Sequence, residues 1–146
     1  MTRISFYILQ QNISQAREHF ACRLAEKAYN KGLRTYIHTT GEQQSNALDR
    51  LLWTFKQHSF VPHAVDNNNP DPEVPVLINH APKLNDVEHA HQRTMLINLA
   101  EEIPVFFSSF ERVAEVIDPQ PEHKAHGRAR YRFYRERGYE LESHTI

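Results

Sequence analysis

The chain has 146 residues, of which 40% are hydrophobic and 24% charged, a composition typical of one globular domain spanning residues 1–146. Its single cysteine, Cys22, excludes an internal disulfide, which fits a reducing compartment. The N-terminal apolar run is too short for a signal peptide, and no stretch approaches the roughly 18 apolar residues of a membrane span. We therefore expect a soluble, cytoplasmic protein that does not enter membranes.

The first half of the chain alternates between strand and helix patterns. Apolar stretches at 4–10 and 33–39 predict two buried strands. Between them, small and apolar residues recur every four positions over 16–28, and a similar pattern follows the second strand over 47–55. Gly32 comes directly after the first helical pattern, where a left-handed residue often ends a helix. A strand and a helix, repeated, are the beginning of an α/β fold.

The second half adds further strands and a final helix. Three further strands are predicted. One starts near residue 74, and the other two cover 94–100 and 112–118. A turn-rich segment at 66–75 and a polar one at 81–92 predict loops. The last helix is predicted over 121–138, because proline suits its first turn and glycine its end. Together these elements predict an α/β domain with a mainly parallel or mixed sheet flanked by helices.

The turn after the first strand lacks a phosphate-binding loop. Such loops need glycines, so that backbone N–H groups can approach phosphate oxygens. Here the chain reads Gln-Gln-Asn-Ile-Ser, and its four glycines form neither a dinucleotide nor a Walker pattern. The sequence therefore predicts a Rossmann-like fold without a nucleotide site, and no cofactor.

Ten histidines raise the question of a metal site. The segment 88–91 holds one glutamate and two histidines, and His123 and His126 are three residues apart. Zinc needs three or four converging ligands, and no second cluster has the matching spacing. Cys22 lies among alanines on a predicted helix, where core packing is expected rather than reactivity. We predict no metal site and no catalytic residue.

The end of the chain is its most strongly charged part. Residues 123–139 contain six basic residues and one acidic residue, a charge of +5 against −6 for the remainder. Ala129 and Phe133 are expected to anchor the final helix to the sheet. Another face of that helix carries Lys124, Arg128, Tyr131, Arg132 and Arg135.

Such a face has three possible explanations. Arginine binds carboxylates through two hydrogen bonds and stacks on rings, so the face suits an acidic peptide. A neighbouring aromatic ring also suits single-stranded nucleic acid. Charged helix surfaces are also common without any partner. The residues alone leave these alternatives open.

A second feature is the aromatic stretch Leu-Leu-Trp-Thr-Phe-Lys-Gln-His-Ser-Phe-Val-Pro-His over 51–63. Phe55 is explained by the core face of the second helix, but Trp53 lies off that face and Phe60 follows in a loop. A tryptophan that the core does not need is a common interface anchor. The alternative is a satellite hydrophobic cluster under the loop.

Several of these stretches, in this order, resemble the chi subunit of bacterial DNA polymerase III. They are Ser-Phe-Tyr-Ile-Leu at the N-terminus, the segment 48–63, Met-Leu-Ile-Asn-Leu-Ala, and Ala-Arg-Tyr-Arg-Phe-Tyr-Arg-Glu-Arg-Gly-Tyr at the end. The resemblance covers nearly the whole chain, but segment 64–92 matches poorly. It implies an α/β fold without a phosphate loop and a protein that is not an enzyme.

The resemblance also implies two partners. Trp53 and Phe60 would face the psi subunit, which attaches the protein to the clamp loader. The acidic C-terminal tail of single-stranded DNA-binding protein, which ends in a phenylalanine carboxylate, would bind the final helix. The tail site implied in this way comprises Ile117, Lys124, Arg128, Tyr131, Arg132 and Arg135. The protein would then be an adaptor that meets DNA only indirectly, with direct binding of single-stranded nucleic acid by the same helix as the alternative.

Overall fold

The computed structural model describes residues 2–65, 74–80 and 93–146. The predicted loop at 81–92 and most of that at 66–75 fall outside these residues, as does the cluster at 88–91. The described elements, in chain order, are β1 (Arg3–Ile8), α1 (Ala16–Asn30), β2 (Thr35–His38), α2 (Glu42–Thr54), β3 (His63–Val65), β4 (Val76–Asn79), β5 (Met95–Asn98), β6 (Arg112–Ile117), α3 (Pro121–Glu136) and β7 (Glu140–Thr145).

In the described part of the chain, seven strands form one sheet in the order β3-β4-β2-β5-β6-β1-β7, and every pair is parallel. The central strands β2, β4 and β5 are buried at every residue, as expected for parallel strands covered on both faces. Helices α1 and α2 pack on one face of the sheet, and α3 packs on the other. The predicted α/β fold is confirmed.

Two strands were not predicted from the sequence. β3 has three residues, too few to show a period. β7 reads Glu-Leu-Glu-Ser-His-Thr, and its one apolar residue, Leu141, gives no alternation. This strand forms because Gly138, at φ 78°, ends the preceding helix and returns the chain alongside β1.

Helix α1 forms for the predicted reason. Its small and apolar side chains, among them Leu24 and Ala28, are buried against the sheet, and Gly32 follows its last turn at φ 75°. Cys22 is fully buried here, and burial raises the pKa of its thiol to about 12, so the thiolate needed for reactivity does not form near neutral pH. No helix within 2–65, 74–80 or 93–146 is long and apolar enough to cross a bilayer.

Candidate functional site

Helix α3 meets the sheet through a face that the sequence analysis did not identify. Gly127, Arg130 and Tyr134 are buried, and this spacing of three and four residues places them on one side of the helix. Phe133 is half-buried against Phe107, with ring centroids 5.9 Å apart. Ala129 is exposed, so the prediction that it anchors the helix is wrong: it lies on the outer side of the helix, away from the buried face.

A buried polar network fixes this helix to β5 and β6. Glu115 is fully buried, and its carboxylate accepts hydrogen bonds from Arg130 Nε at 2.8 Å and from the Tyr134 hydroxyl at 2.7 Å. The side-chain amide of Asn98 donates to both Glu115 oxygens, at 3.2 and 3.0 Å. Arg130 also donates to the backbone oxygen of Glu101 at 2.8 Å. Arg130 is therefore a structural cation, not part of the exposed basic surface.

Burial and hydrogen bonding act in opposite directions on the pKa of the Glu115 carboxyl. Burial raises the pKa of the Glu115 carboxyl, while Arg130, Asn98 and Tyr134 counter that rise by favouring the ionised form. Burial and the neighbouring Glu115 raise the pKa of the Tyr134 hydroxyl, so Tyr134 stays protonated and remains a donor. The network is stable only as a complete set, because each buried polar group depends on the others.

Beside this network, α3 and the ends of β1 and β6 enclose a shallow pocket with a volume of about 240 Å³. We call it the α3 pocket. Its walls are largely apolar, and the Tyr131 ring packs edge-on against Phe6 with centroids 5.1 Å apart. Lys124 and Arg128 stand at its rim and are both exposed. The lining residues are Phe6, Ile8, Ile117, Lys124, Gly127, Arg128, Tyr131 and Ser143.

Gly127 sets how closely α3 approaches the sheet at this pocket. A Cβ atom at this position would overlap the Ile117 side chain, lying 3.0 Å from Cγ1 and closer still to Cδ1. Glycine therefore lets the helix rest directly on β6. No role for Gly127 was predicted from the sequence. A glycine inside a strong helical pattern was the one local sign that the helix packs closely on a neighbour here.

The structure brings four of the six predicted tail-site residues together. Ile117, Lys124, Arg128 and Tyr131 all line the α3 pocket. The other two, Arg132 and Arg135, are exposed on α3 but do not line the pocket. Within the described residues, none of the four cations Lys124, Arg128, Arg132 and Arg135 forms an ion pair.

Residues that complete the pocket came from elements that the sequence analysis did not connect to it. Phe6 and Ile8 are on β1, whose apolar run predicts burial but not which helix covers it. Ser143 is on β7, a strand that was not predicted.

Trp53 and Phe60 form a second surface, which we call the Trp53 face. Their rings lie 5.4 Å apart between centroids, and 55% of Trp53 and 60% of Phe60 are exposed. The ring of His63, whose side chain is buried, packs against Trp53 at 4.8 Å and supports it from below. A satellite cluster buried under the loop is therefore excluded, because both large rings are mainly open to solvent.

The two surfaces lie far apart in the fold. The Trp53 face is at the end of α2, next to edge strand β3, whereas the α3 pocket borders the opposite edge strand, β7. Helices α2 and α3 also cover opposite faces of the sheet. The two surfaces therefore share no residue.

Of the candidate metal ligands, His123 and His126 lie in the described part of the chain, and they have different neighbours. The Nδ1 atom of His123 lies 2.7 Å from an Asp118 oxygen, so this side chain is engaged within the protein. His126 lies near Glu101 and Glu122, with one potential ligand atom from each within 4.8 Å of the others. Both carboxylates are exposed, and such groups are common without an ion, so we assign no metal to them.

The chain is similar in sequence to one known family over nearly its whole length. Residues 1–142 match the family model described as DNA polymerase III chi subunit, HolC. The chain is 40% identical over 146 residues to the DNA polymerase III subunit chi of Pseudomonas aeruginosa, covering 100% of this chain and 98% of the relative. It is 30% identical over 141 residues to that of Haemophilus influenzae (97% and 95% covered), and 29% identical over 149 residues to that of Escherichia coli (99% of both). The chain therefore belongs to the family of DNA polymerase III chi subunits, accessory components of the replicative polymerase complex.

Proposed function

We propose that this chain is a non-catalytic adaptor of the replication machinery. It binds the acidic C-terminal tail of single-stranded DNA-binding protein in the α3 pocket, and the psi subunit of the clamp loader at the Trp53 face. The observation that carries the proposal is the α3 pocket itself, because it joins an apolar slot to a rim of cations, Lys124 and Arg128, that pair with no carboxylate among the described residues.

The pocket suits a peptide that ends in an aromatic residue. The terminal ring enters the space between Ile117, Phe6 and Tyr131, where apolar walls replace water. The terminal carboxylate meets Lys124 and Arg128 at the rim, and charge-assisted hydrogen bonds of this kind are the strong ones.

The remaining cations extend this site along the helix. Arg132 and Arg135 continue the positive surface beyond the pocket, where the acidic residues that precede the terminal ring would lie. These contacts are exposed to solvent, so salt screens them and tail affinity falls as ionic strength rises.

Direct binding of single-stranded nucleic acid is the weaker alternative. Base stacking needs open ring faces, but Tyr131 is half-buried and packs against Phe6. Arg130 does not extend the row of exposed cations on α3, because it is buried against Glu115. Phosphate tracking requires a longer row of exposed cations.

The Trp53 face has the chemistry of a protein–protein anchor. Trp53 and Phe60 together present a large apolar area, and large exposed aromatic residues are enriched among interface hot spots. The His63 side chain is not part of the exposed surface, because it is buried and held near Asp49 and the backbone oxygen of Val61. Binding there is expected to depend on apolar burial.

The tail assignment is tested by fluorescence anisotropy with two labelled ligands. One is a peptide of several aspartates ending in a free phenylalanine carboxylate, and the other is oligothymidine. Arg128→Ala should weaken peptide binding about tenfold, whereas Arg50→Ala, the same charge loss on the exposed side of α2, should not change it. Unchanged peptide affinity in a folded Arg128→Ala protein, or tighter binding of oligothymidine than of peptide, would overturn the assignment.

A further inference from the structure

A groove runs beside α1 on the sheet face opposite α3. It consists of two adjoining cavities of about 310 and 340 Å³, which share Phe20, Arg23 and Ile146 as lining residues. We call it the α1 groove. The two cavities meet at these residues, and their linings together extend from Ala16, in the first turn of α1, to Leu33 beyond its last turn.

The groove exposes apolar side chains. Ile13 is 54% exposed and Ile146 is 52% exposed, and between them lies the half-buried ring of Phe20. Leu24 and Met95 complete the apolar floor further along the helix. An apolar strip of this kind with a charged border is typical of an interaction site.

The helix layer has room for one more helix at this place. On this side of the sheet, α1 contacts β2 and β6, and α2 contacts β3 and β4. On this side α1 reaches β1 through Phe20, which packs on Tyr7, whereas most β7 residues are exposed and α3 packs on the other side of the sheet. Two neighbouring strands span about 10 Å, which is the usual distance between packed helices.

A row of cations borders the groove. Arg23, Lys27 and Lys31 follow one another every fourth residue, so their Cα atoms are about 6 Å apart along α1. None of the three forms an ion pair with a described residue.

The carboxylates of α1 point to its other side. Glu18 accepts a hydrogen bond from Gln44 of α2, and Glu26 pairs with Lys56. The side of α1 that borders the groove is therefore basic, and Arg112 adds a fourth cation at the far end.

The opposite wall favours a peptide over nucleic acid. Tyr7 already stacks on His144 with centroids 5.1 Å apart and packs against Phe20 at 5.2 Å, so these ring faces are occupied. What remains open is an aliphatic strip with cations along one side.

We propose that the α1 groove binds an acidic amphipathic helix of a partner protein. Carboxylates spaced four residues apart on that helix repeat every 6 Å and match Arg23, Lys27 and Lys31. Its apolar stripe packs on Phe20 and Leu24, a helix-in-groove arrangement. This surface is separate from both the α3 pocket and the Trp53 face.

The test uses a labelled synthetic helix about 18 residues long, with glutamate at every fourth position, leucine before each glutamate and alanine elsewhere. Binding is followed by anisotropy and mapped on the ¹⁵N-labelled chain by NMR. The control peptide has glutamine in place of glutamate. Arg23→Glu combined with Lys27→Glu is compared with Arg50→Glu combined with Arg137→Glu, which changes the net charge equally elsewhere.

We expect saturable binding that moves the amide signals of α1 and β1, and a loss of about tenfold or more in the groove variant only. The glutamine peptide should bind more weakly. The proposal is overturned by no saturable binding, by equal losses in both variants, or by signal changes confined to α3. Displacement of the peptide by oligothymidine would also overturn it, since the groove would then be a nucleic-acid surface.

Discussion

The α3 pocket and the Trp53 face offer a partner different chemistry. The pocket combines a shallow apolar slot with exposed cations, and a buried charged network holds the helix that carries them. The Trp53 face is two exposed rings resting on a buried histidine. Binding at the pocket should therefore respond to salt and to helix position, whereas binding at the Trp53 face should respond mainly to loss of apolar area. Substitutions in α3 and at the Trp53 face should separate these two kinds of binding.

The largest effect is expected from removal of the buried cation. Arg130→Ala leaves the Glu115 carboxylate buried without its charged partner, so the free energy of unfolding should fall by about 3–5 kcal/mol. Urea denaturation measures this loss. Arg132→Ala, an exposed neighbour on the same helix, should change stability by less than about 0.5 kcal/mol. Equal, small losses in the two variants would mean that the network does not hold α3.

Truncation of the tryptophan comes next. Trp53→Ala should weaken psi binding by about 2–4 kcal/mol, with little dependence on salt, and should leave tail affinity unchanged. Val105→Ala removes another exposed apolar side chain and serves as the control. Calorimetric titration with psi and with the tail peptide separates the effects. If a folded Trp53→Ala protein lost both partners, the two surfaces would not be independent.

Gly127→Ala tests how the helix position sets the pocket. In a free helix this change would stabilise by about 1 kcal/mol, because alanine is the better helix former. Here the added methyl group meets Ile117, so we expect destabilisation of about 1–3 kcal/mol and weaker tail binding. Psi binding should persist, since the Trp53 face is remote. A more stable variant with normal tail affinity would show that the helix approach is not tight.

The smallest effect is expected from Arg132→Lys. This change keeps the positive charge but loses the planar guanidinium. Because Arg132 is exposed and does not line the pocket, tail affinity should change by less than about 0.5 kcal/mol at constant salt. A loss as large as that of Arg128→Ala would place Arg132 in a paired contact with the terminal carboxylate.

The sequence predicted most of the fold because the central strands are continuous apolar runs and the helices have a strong apolar period. It failed at β7, where a polar strand is held by its pairing with β1 and has no pattern of its own. Helix face assignments were also incomplete. Arg130 was counted only in the charge of segment 123–139, and its burial was not predicted, because nothing local to α3 reveals a carboxylate on β6 fifteen residues earlier in the chain.

The candidate site, like the fold, was predicted only in part from the sequence. Ile117, Lys124, Arg128 and Tyr131, four residues of the tail site implied by the family resemblance, lie close in sequence and all line the α3 pocket. Phe6 and Ser143 come from distant strands, and their arrival at the pocket depends on strand order, which single-sequence patterns do not specify.

The central claim is that the chain holds two partners at once on separate surfaces. Calorimetric titration of the tail peptide into the free chain and into its preformed complex with psi tests this most directly. The adaptor account predicts the same tail affinity and one-to-one stoichiometry in both titrations. Loss of tail binding in the psi complex, or release of psi by the peptide, would contradict it.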